Sequence, residues 1–246
     1  MPDKIKPAKA LLLAGGYGTR LQPLTNGTPK CLVTVDDHPL LDFWINNLIN
    51  AGIDEAVINT HYLPDIVRKY ISEIGKTTHL HISESYEPEL LGSAGTITNN
   101  PEFADDTDCV VLIYVDNLSN VDLKMLIDFH RQHKEPLTMM LFHAEHPKSC
   151  GIATLDNKGR VVEFIEKPQQ PQSDLANAGV YVIDRNAYRE IVAMNAFDIG
   201  YDVLPQFVGR MIGYVFNGYH RDIGTLDSLE QARQDLHNGI FHAPWK

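Results

Sequence analysis

A glycine-rich segment flanked by two cations is the part of this sequence best suited to hold an anion. Residues 13–25 read LAGGYGTRLQPLT, and Pro29-Lys30 follows shortly after. Glycines allow backbone N–H groups to approach an anion closely, because no Cβ stands in the way. Arg20 and Lys30 add two fixed positive charges near the same point. Since the apolar run Ala10 to Leu13 precedes the glycines, we expect a strand that opens into a polyphosphate-binding loop.

The spacing of these glycines differs from that of two common phosphate-binding loops. A P-loop counted from Gly15 needs glycine and lysine where Arg20 and Leu21 stand. A dinucleotide-binding loop counted from Gly16 needs its third glycine at Leu21. Both are therefore excluded, and a tight turn without a ligand is the structural alternative for the glycines taken alone.

The bulk composition indicates a globular protein without a nucleic-acid partner. The 246 residues carry a net charge of −11, and nucleic-acid binding requires a basic face. A hydrophobic fraction of 43% is enough for a substantial core in one domain. No apolar stretch is long enough for a membrane span, and Met1 to Lys9 lacks the apolar core of a secretory signal. We therefore expect a cytoplasmic protein with no membrane partner.

Cysteine and histidine usage gives no sign of a disulfide framework or a zinc site. The three cysteines are widely spaced and odd in number, which suits reduced thiols: Cys31, Cys109 and Cys150. Two histidine pairs lack an accompanying C-x-x-C motif, so solvated histidines are favoured over zinc ligands: His130/His133 and His143/His146.

Apolar periodicity predicts strands that alternate with helices through the first half of the chain. Strands are expected at 8–13, 56–59, 80–82 and 109–115, and helices at 40–51 and 65–74. The second half is richer in strands, at 137–142, 152–155, 161–165, 180–183 and 212–216, before a final helix that Thr225 can cap. This order predicts an α/β fold of three layers, with helices on both sides of a mixed, mostly parallel central sheet.

Two aspartates in loop positions are candidate metal ligands. Asp116 follows the apolar run Cys109 to Val115, and ligands of open α/β sheets bind outside the carboxyl ends of the strands. Asp222 stands just before the final helix, where interaction with the helix dipole is the alternative role. A turn or cap is the alternative for Asp116. Mg²⁺ prefers carboxylate oxygens combined with phosphate oxygens and waters, so it is the expected metal.

The motifs together resemble those of the sugar-1-phosphate nucleotidyltransferases. The signature is L-x-G-G-x-G-T-R-L-x-P-L-T followed by P-K, and further motifs follow in order between Ala8 and Leu236. The resemblance implies a Rossmann-like nucleotidyltransferase fold in a single domain, residues 1–246. Within it, a nucleotide-binding part is expected at 8–120 and a sugar-phosphate-binding part at 121–236. It also implies transfer of a nucleoside monophosphate from an NTP to a sugar 1-phosphate, with Mg²⁺ as cofactor.

The resemblance also implies roles for individual residues. Arg20 is expected to stabilise the leaving pyrophosphate, Lys30 to bridge the two reacting phosphates, and Asp116 to act in catalysis. Asp116 and Asp222 are expected to converge on Mg²⁺. The implied nucleotide-binding residues are Leu13, Ala14, Gly15, Gly16, Gly18, Thr19, Glu89 and Gly92. The implied sugar-phosphate-binding residues are Asn117, Gly151, Glu166, Lys167 and Asn177.

Some residues have other interpretations or depart from the family pattern. Glu166 and Lys167 could form a surface ion pair at a strand end. Val115 stands where the family usually has glycine, which would tighten the space near Asp116. Arg221 could face phosphate or solvent.

The segment from Glu89 to Thr96 favours a guanine nucleotide. Its form, E-x-L-G-x-A-G, is closer to the guanylyltransferases of the family, so GTP with mannose 1-phosphate or heptose 1-phosphate is the expected pair. Uridylyl, cytidylyl or thymidylyl transfer to another sugar or to choline phosphate stays open. So does a non-catalytic nucleotide-sugar sensor, although a dehydrogenase is disfavoured by the missing third glycine. The oligomeric state is also open, with a homodimer as one candidate.

Overall fold

A computed structural model describes residues 7–244 and has the α/β fold predicted from the sequence, a mixed sheet with helices on both sides. The strands are β1 (Lys9–Leu13), β2 (Thr34–Val35), β3 (His38–Pro39), β4 (Glu55–Thr60), β5 (His81–Tyr86), β6 (Cys109–Tyr114), β7 (Asn117–Ser119), β8 (Leu137–His143), β9 (Gly151–Leu155), β10 (Val161–Glu166), β11 (Leu175–Asp184), β12 (Met211–Val215) and β13 (His220–Asp222). The α-helices are α1 (Leu40–Asn50), α2 (Pro64–Ile74), α3 (Gly92–Thr98), α4 (Leu123–Arg131), α5 (Arg185–Met194), α6 (Leu204–Phe207) and α7 (Leu226–His237).

The described residues divide into two compact units. The glycine-loop unit consists of 10–90, 114–124 and 218–244, and the Glu166 unit of 7–9, 91–113 and 125–217. The single domain predicted for residues 1–246, with parts at 8–120 and 121–236, stays a prediction. The expected absence of a secretory signal concerns a stretch of which residues 1–6 lie outside the described range.

Parallel strands form the centre of the glycine-loop unit. β1 pairs with β4, where Ala10 lies opposite Ala56, and β4 pairs with β5, where Ala56 lies opposite Ile82. Because all three strands run in the same direction, the loops that follow them leave from one edge of the sheet. The glycine-rich segment follows β1 at this edge.

A hydrophobic core anchors the other segments of the glycine-loop unit. Apolar residues from the segments around the glycine loop and β2, from α1, from the segments around β7 and β13, and from α7 and the stretch after it pack together there: Leu21, Val33, Val35, Leu40, Phe43, Leu118, Ile223, Leu229, Ala232, Phe241 and Ala243. β7 pairs antiparallel with β13, so that Asn117 lies opposite Asp222. Thr225 caps α7 as predicted, because its side chain accepts the Ser228 N–H. This core fixes the segments on either side of Asp222.

The Glu166 unit is built around β11, which pairs antiparallel with β6 and β8. β9 and β10 form an antiparallel hairpin, and β12 runs parallel to β8. The register along β11 shifts between Asn177 and Tyr181, and Gly179 there has φ of 67°. This irregularity interrupts the alternation of side chains, which is why periodicity predicted only 180–183 for a strand that begins at Leu175.

The structure also contains elements that periodicity did not predict. α5 follows β11 directly, and the Asp184 side chain caps it by accepting the Ala187 N–H at 2.6 Å. The two short strand pairs, β2 with β3 and β7 with β13, are too brief to show an alternating pattern. Within residues 7–244, no helix has the length and apolar character needed to cross a membrane.

Candidate functional site

The glycine loop depends on glycine at position 18 for its shape. Gly18 has φ of 64°, in the left-handed region that favours glycine. A Cβ at this position would lie 2.9 Å from Thr25 Cγ2 and 3.0 Å from Lys30 Cβ. Thr25 closes the turn, because its hydroxyl donates to the Gly18 carbonyl at 2.8 Å. The absence of a Cβ at Gly18 thus lets the side chains of Thr25 and Lys30 pack closely against the loop.

The backbone N–H groups of the loop fall into two sets. Those of Ala14 and Gly15 donate to Asn59 Oδ1, at 2.6 and 3.0 Å. Those of Gly16, Tyr17 and Gly18 meet no protein acceptor within residues 7–244. A Cβ at Gly16 would have nothing within 4 Å. The second set is therefore available to an anion, and the open space beside Gly16 allows its approach.

Lys30 and Asp116 form an ion pair beside the loop. Lys30 Nζ donates to Asp116 Oδ2 at 2.6 Å. The lysine side chain is 11% exposed and the aspartate side chain 35% exposed, so water screens the pair only in part. The pairing fixes the position of the lysine charge before any ligand arrives.

Asp222 and Arg20 lie on the same side of Gly224. A Cβ at Gly224 would be 2.8 Å from Asp222 Oδ2 and 2.9 Å from Arg20 Nη2. Within the described chain, Arg20 forms no ion pair, and Asp222 is the carboxylate beside it at Gly224. A residue with a side chain at position 224 would displace one of these two groups.

Asp116 and Asp222 come from segments that are directly hydrogen-bonded to each other. The Ile223 N–H donates to the Asp116 carbonyl at 2.9 Å, in continuation of the β7–β13 pairing. Val115, which replaces the usual glycine, is fully buried, and its N–H donates to the Leu13 carbonyl at 3.1 Å. Its side chain therefore packs in the core. The structure brings the two predicted metal ligands onto neighbouring segments of one unit.

The chemistry of this donor set suits Mg²⁺. Two carboxylates supply hard oxygen ligands, and Mg²⁺ usually takes one or two carboxylates and completes its shell with phosphate oxygens and waters. Among the described residues, no group of three or more His, Cys, Asp or Glu side chains is arranged to hold a metal ion by itself. A site that needs phosphate to complete it would therefore suit the ion, whereas a closed zinc site would need more protein ligands.

The two residues that precede Asp222 are engaged in other contacts and are not candidates for anion binding. Arg221 donates to the Tyr219 hydroxyl at 3.1 Å and pairs with Asp235 at 3.2 Å. His220 is in β13, and burial lowers the pKa of its imidazole to about 4. Arg221 therefore belongs to the packing between β13 and α7, and His220 is neutral at physiological pH.

In the Glu166 unit, a carboxylate fills the space beside two glycines. A Cβ at Gly151 would collide with Glu166 Oε2, and one at Gly200 would lie 2.8 Å from the same oxygen. Asp198 Oδ1 is also within 3.3 Å of that position at Gly200. Burial raises the pKa of the Glu166 carboxyl above its ordinary value; Lys167 opposes this rise and the charge of Asp198 adds to it.

Lys167 and Asn177 are held in different ways. Lys167 has φ of 49°, and its N–H donates to the Cys150 carbonyl at 3.0 Å, while its side chain is 57% exposed. Its ammonium group lies 4.0 Å from Glu166 Oε1. Asn177 donates to the Tyr181 hydroxyl at 2.6 Å and accepts the Gly179 N–H. The lysine charge is thus open to solvent, whereas the asparagine amide is already engaged.

Glycine is also required where α3 begins. Gly92 has φ of 78°, and a Cβ there would collide with the Phe197 carbonyl. The next residue, Ser93, donates to Asp198 Oδ2 at 3.2 Å and accepts the Ile199 N–H at 2.8 Å. Gly92 therefore lets the start of α3 approach the segment that carries Asp198.

The predicted site residues separate between the two units. The glycine-loop unit holds Leu13, Ala14, Gly15, Gly16, Gly18, Thr19, Arg20, Lys30, Glu89, Asp116, Asn117 and Asp222. The Glu166 unit holds Gly92, Gly151, Glu166, Lys167 and Asn177. Asn117 is predominantly buried; its backbone carbonyl accepts the Trp44 indole N–H at 2.7 Å, and its side-chain amide donates to the Tyr114 carbonyl.

Comparison with known proteins identifies the family. Residues 9–239 match the nucleotidyl transferase family, which is most of the chain. The chain belongs to this family. The resemblance predicted from the glycine-rich motif is thereby confirmed.

Relatives in the nucleotidyl transferase family carry several substrate names. A mannose-1-phosphate guanylyltransferase of Mycobacterium tuberculosis is 32% identical over 96% of this chain and 66% of its own length. A glucose-1-phosphate adenylyltransferase of Thermosipho africanus is 32% identical over 94% of this chain and 62% of its own length. This chain therefore spans slightly less than two thirds of the length of these relatives.

A solved structure shares the fold of this nucleotidyl transferase. It is a Bacillus anthracis protein with the provisional name glucose-1-phosphate thymidylyltransferase, crystallised with sucrose. The two structures superpose with a TM-score of 0.84 at 25% identity, and the match covers 96% of this chain and 98% of the other. The agreement confirms the predicted fold class.

Two residues with a place at these sites were missed by the motif-based predictions. Asn59 is the last but one residue of β4, a parallel strand next to β1, and the rule that ligands gather at carboxyl ends of strands would have marked it. Asp198 lies between Phe197 and a buried glycine-containing turn, where no motif was recognised. Its proximity to Glu166 depends on the chain fold, so only the structure reveals it.

Proposed function

We propose that this protein transfers a nucleoside monophosphate from an NTP to a sugar 1-phosphate, which makes a nucleotide sugar and pyrophosphate. One observation carries the proposal: Lys30, Arg20, Asp116 and Asp222 gather in the unit that also presents the open N–H groups of the glycine loop. Cations and amides suit a triphosphate, and the carboxylates suit a divalent cation. Membership of the nucleotidyl transferase family supports this assignment.

The proposed reaction needs charge stabilisation more than acid–base catalysis. An oxygen of the sugar 1-phosphate attacks the α-phosphorus of the NTP; a new P–O bond forms, and the bond to the β-phosphate oxygen breaks in line. The nucleophile is already an anion, so no strong general base is required. The protein must bring two anions together and offset the charge that develops, which is positioning combined with electrostatic stabilisation.

The roles of the cations follow from how each one is held. Lys30 is fixed by Asp116, so we assign it to the α-phosphate and the incoming phosphate, where position matters most. Arg20 forms no ion pair in the described part of the chain and is assigned to the leaving pyrophosphate, where its planar fork can contact two oxygens. The N–H groups of Gly16, Tyr17 and Gly18 hold the triphosphate.

Asp116 and Asp222 would hold Mg²⁺. When bound there, the ion supplies positive charge that neutralises phosphate oxygens. Asp116 also keeps Lys30 in position, so its loss would remove two functions at once.

Recognition of the sugar phosphate is assigned mainly to the Glu166 unit. Glu166 and Asp198 offer carboxylate oxygens that suit sugar hydroxyl groups, and Gly151 and Gly200 make room for the Glu166 carboxylate. Lys167 has an exposed ammonium group, a compact point charge for the phosphate. Asn117 and Asn177 are further proposed contacts, the latter through the backbone around Gly179.

Guanine is the proposed base. Glu89 is exposed in the glycine-loop unit, and a carboxylate can accept both N–H groups on the Watson–Crick edge of guanine. Adenine presents an acceptor at the corresponding ring nitrogen. The relative named as a mannose-1-phosphate guanylyltransferase supports GTP with mannose 1-phosphate, and heptose 1-phosphate is kept as the second sugar. The relatives named for adenylyl transfer keep the other bases as test substrates.

A substrate panel tests the proposal. Pyrophosphate release is measured with Mg²⁺ for GTP, ATP, UTP, CTP and dTTP, each with mannose, glucose or heptose 1-phosphate or phosphocholine. We expect the highest kcat/KM with GTP and mannose or heptose 1-phosphate. Glu89→Gln should reduce the preference for GTP over ATP by about tenfold, because one acceptor oxygen is replaced by a donor. Release with no pair would contradict the proposal and favour a nucleotide-sugar sensor.

The proposal places the protein in the cytoplasm, in the supply of nucleotide sugars for polysaccharide synthesis. NTPs and sugar phosphates are cytoplasmic metabolites. Free thiols at Cys31, Cys109 and Cys150 would suit a reducing compartment.

A further inference from the structure

Asn59 connects the glycine loop to the segment after β5. It lies near the end of β4, between β1 and β5 in the parallel part of the glycine-loop unit. Its Oδ1 accepts the N–H groups of Ala14 and Gly15, and its Nδ2 donates to Glu87 Oε1 at 3.1 Å. One side chain therefore bonds to backbone on one side and to a carboxylate on the other.

The close approach of Asn59 depends on glycine in the loop. A Cβ at Gly15 would lie 2.9 Å from Asn59 Nδ2 and 3.4 Å from Asn59 Cγ. Gly15 is thus needed to make room for the asparagine, in contrast to Gly16, where the surroundings are open. The first glycine of the motif serves the contact with Asn59, and the second is available to the ligand.

Glu87 determines which way the Asn59 amide faces. Glu87 is fully buried and its Oε1 accepts from Asn59 Nδ2, while the Ala14 and Gly15 N–H groups on the other side can only donate. The Asn59 group that faces it must therefore be the NH₂, which leaves Oδ1 to face the loop. In the reverse orientation, Asn59 Oδ1 would face Glu87 Oε1, and the Asn59 NH₂ would face the N–H groups of Ala14 and Gly15. Both contacts would be repulsive.

A second contact joins the same two segments nearer the surface. His61 Nδ1 donates to the Glu87 carbonyl at 2.8 Å, and His61 Nε2 is hydrogen-bonded to the Tyr17 hydroxyl at 2.8 Å. The Tyr17 and His61 rings also meet edge to face, with centroids 5.1 Å apart. The loop is thus held at its start by Asn59 and at its middle by His61.

We propose that Asn59, oriented by Glu87, is a positioning residue that directs the free N–H groups of the glycine loop toward the triphosphate. By holding the Ala14 and Gly15 amides, it fixes the direction in which the chain enters Gly16. The inference rests on the proposed function, because the ligand of the loop is taken to be an NTP. It predicts that Asn59 controls the use of NTP and has no effect on affinity for the sugar phosphate.

The polarity of the Asn59–Glu87 pair permits a rescue experiment. Asn59→Asp places a carboxylate against the Glu87 carboxylate. Adding Glu87→Gln restores a hydrogen bond of reversed polarity, in which the glutamine NH₂ donates to the aspartate carboxylate. We expect N59D to raise the KM for NTP by at least about 30-fold. The double variant should return to within about threefold of the parent, and the KM for the sugar phosphate should stay constant throughout. Glu84→Gln, a carboxylate-to-amide change on the neighbouring strand, is the matched control.

Binding of tripolyphosphate provides a readout that does not need turnover. Calorimetry should show the same order of affinities: parent, then the double variant, then N59D. Tyr17→Phe, which changes an exposed contact and leaves the core intact, should weaken tripolyphosphate binding by about threefold and covers the case in which N59D does not fold.

Each failure has a distinct meaning. If the parent binds tripolyphosphate and releases pyrophosphate but N59D matches it, the inference about Asn59 is wrong and the proposed function stands. Absence of rescue in the double variant, or equal changes in both KM values with a lowered Tm, would show a merely structural role. If the parent neither binds tripolyphosphate nor releases pyrophosphate, the proposed function itself fails.

Discussion

The two units arrange their charged side chains differently. In the glycine-loop unit, charges of opposite sign meet, as in the Lys30–Asp116 pair, and Arg20 adds a cation without an ion-pair partner there. In the Glu166 unit, two acids, Glu166 and Asp198, lie near the same glycine, and burial raises the pKa of Glu166. Fixed cations suit phosphates, and neighbouring carboxylates suit hydroxyl groups. The difference agrees with the proposed division, in which the first unit binds the phosphates and the second binds the sugar.

Removal of the Lys30 charge should give the largest effect. Lys30→Met keeps the hydrophobic stem but leaves Asp116 without its cation, and we expect kcat to fall by about 10³-fold or more. Pyrophosphate release measures the loss, and Tm shows whether the fold persists. Lys76→Met, a change at an exposed lysine, is the control. Turnover within about tenfold of the parent would remove Lys30 from the catalytic role.

Filling the space at Gly151 should affect the other unit selectively. Gly151→Ala places a methyl group against Glu166 Oε2, and we expect the KM for the sugar phosphate to rise by about 100-fold with the KM for NTP unchanged. Steady-state kinetics with each substrate varied in turn measures both values. Gly27→Ala, where a Cβ meets nothing within 4 Å, serves as the silent control. Equal shifts in both KM values would abolish the proposed division between units.

A buried histidine should make the stability of the Glu166 unit sensitive to acid. His130 Nδ1 bonds to the Thr138 hydroxyl, which also bonds to His133, and burial lowers the pKa of His130 to about 4. His133 and Arg131 also lower this pKa, whereas Asp108 raises it. Since the ordinary pKa is near 6.5, the unfolded chain takes up the proton first as pH falls. The stability linked to neutral His130 is therefore fully present above about pH 6.5 and is lost as the pH falls from there to about 4.

The His130 effect can be isolated by substitution. We expect the free energy of unfolding to fall by roughly 2 kcal/mol more in the parent than in His130→Asn between about pH 7 and pH 5. Urea unfolding at each pH gives the comparison. Equal losses in parent and variant would show that His130 is not the group that titrates.

Arg221 should have the smallest effect, and on stability alone. It contacts Tyr219 and Asp235, so Arg221→Gln should cost about 1 kcal/mol in unfolding free energy. Pyrophosphate release at saturating substrates should stay within about twofold of the parent. A loss of turnover comparable with that of Lys30→Met would mean that Arg221 faces the phosphates during the reaction.

The sequence predicted well those features that depend on local order. The strand ending at Leu13, the glycine turn and the cations Arg20 and Lys30 are close along the chain, and their motif is specific. Asp222 was predicted to meet Asp116 only through family resemblance, and the β7–β13 pairing that joins their segments is too short to show periodicity.

Contacts made by the fold alone were beyond the sequence patterns. Asp198 approaches Glu166 only because a turn after α5 carries Gly200 against β10. Asn59 looks like an ordinary strand residue until its bonds to Ala14 and Gly15 are seen. The role of a buried polar group such as Glu87 depends on its partner on another strand, and apolar periodicity carries no information about that partner.

The most direct test of the account is ³¹P NMR of the parent protein with Mg²⁺, GTP and mannose 1-phosphate, and with heptose 1-phosphate in a parallel sample. We expect the signals of GTP and the sugar phosphate to disappear together, while pyrophosphate and a diphosphate-linked sugar nucleotide appear in equal amounts. Unchanged spectra with every NTP and sugar phosphate of the panel, or release of inorganic phosphate with GDP, would contradict nucleotidyl transfer.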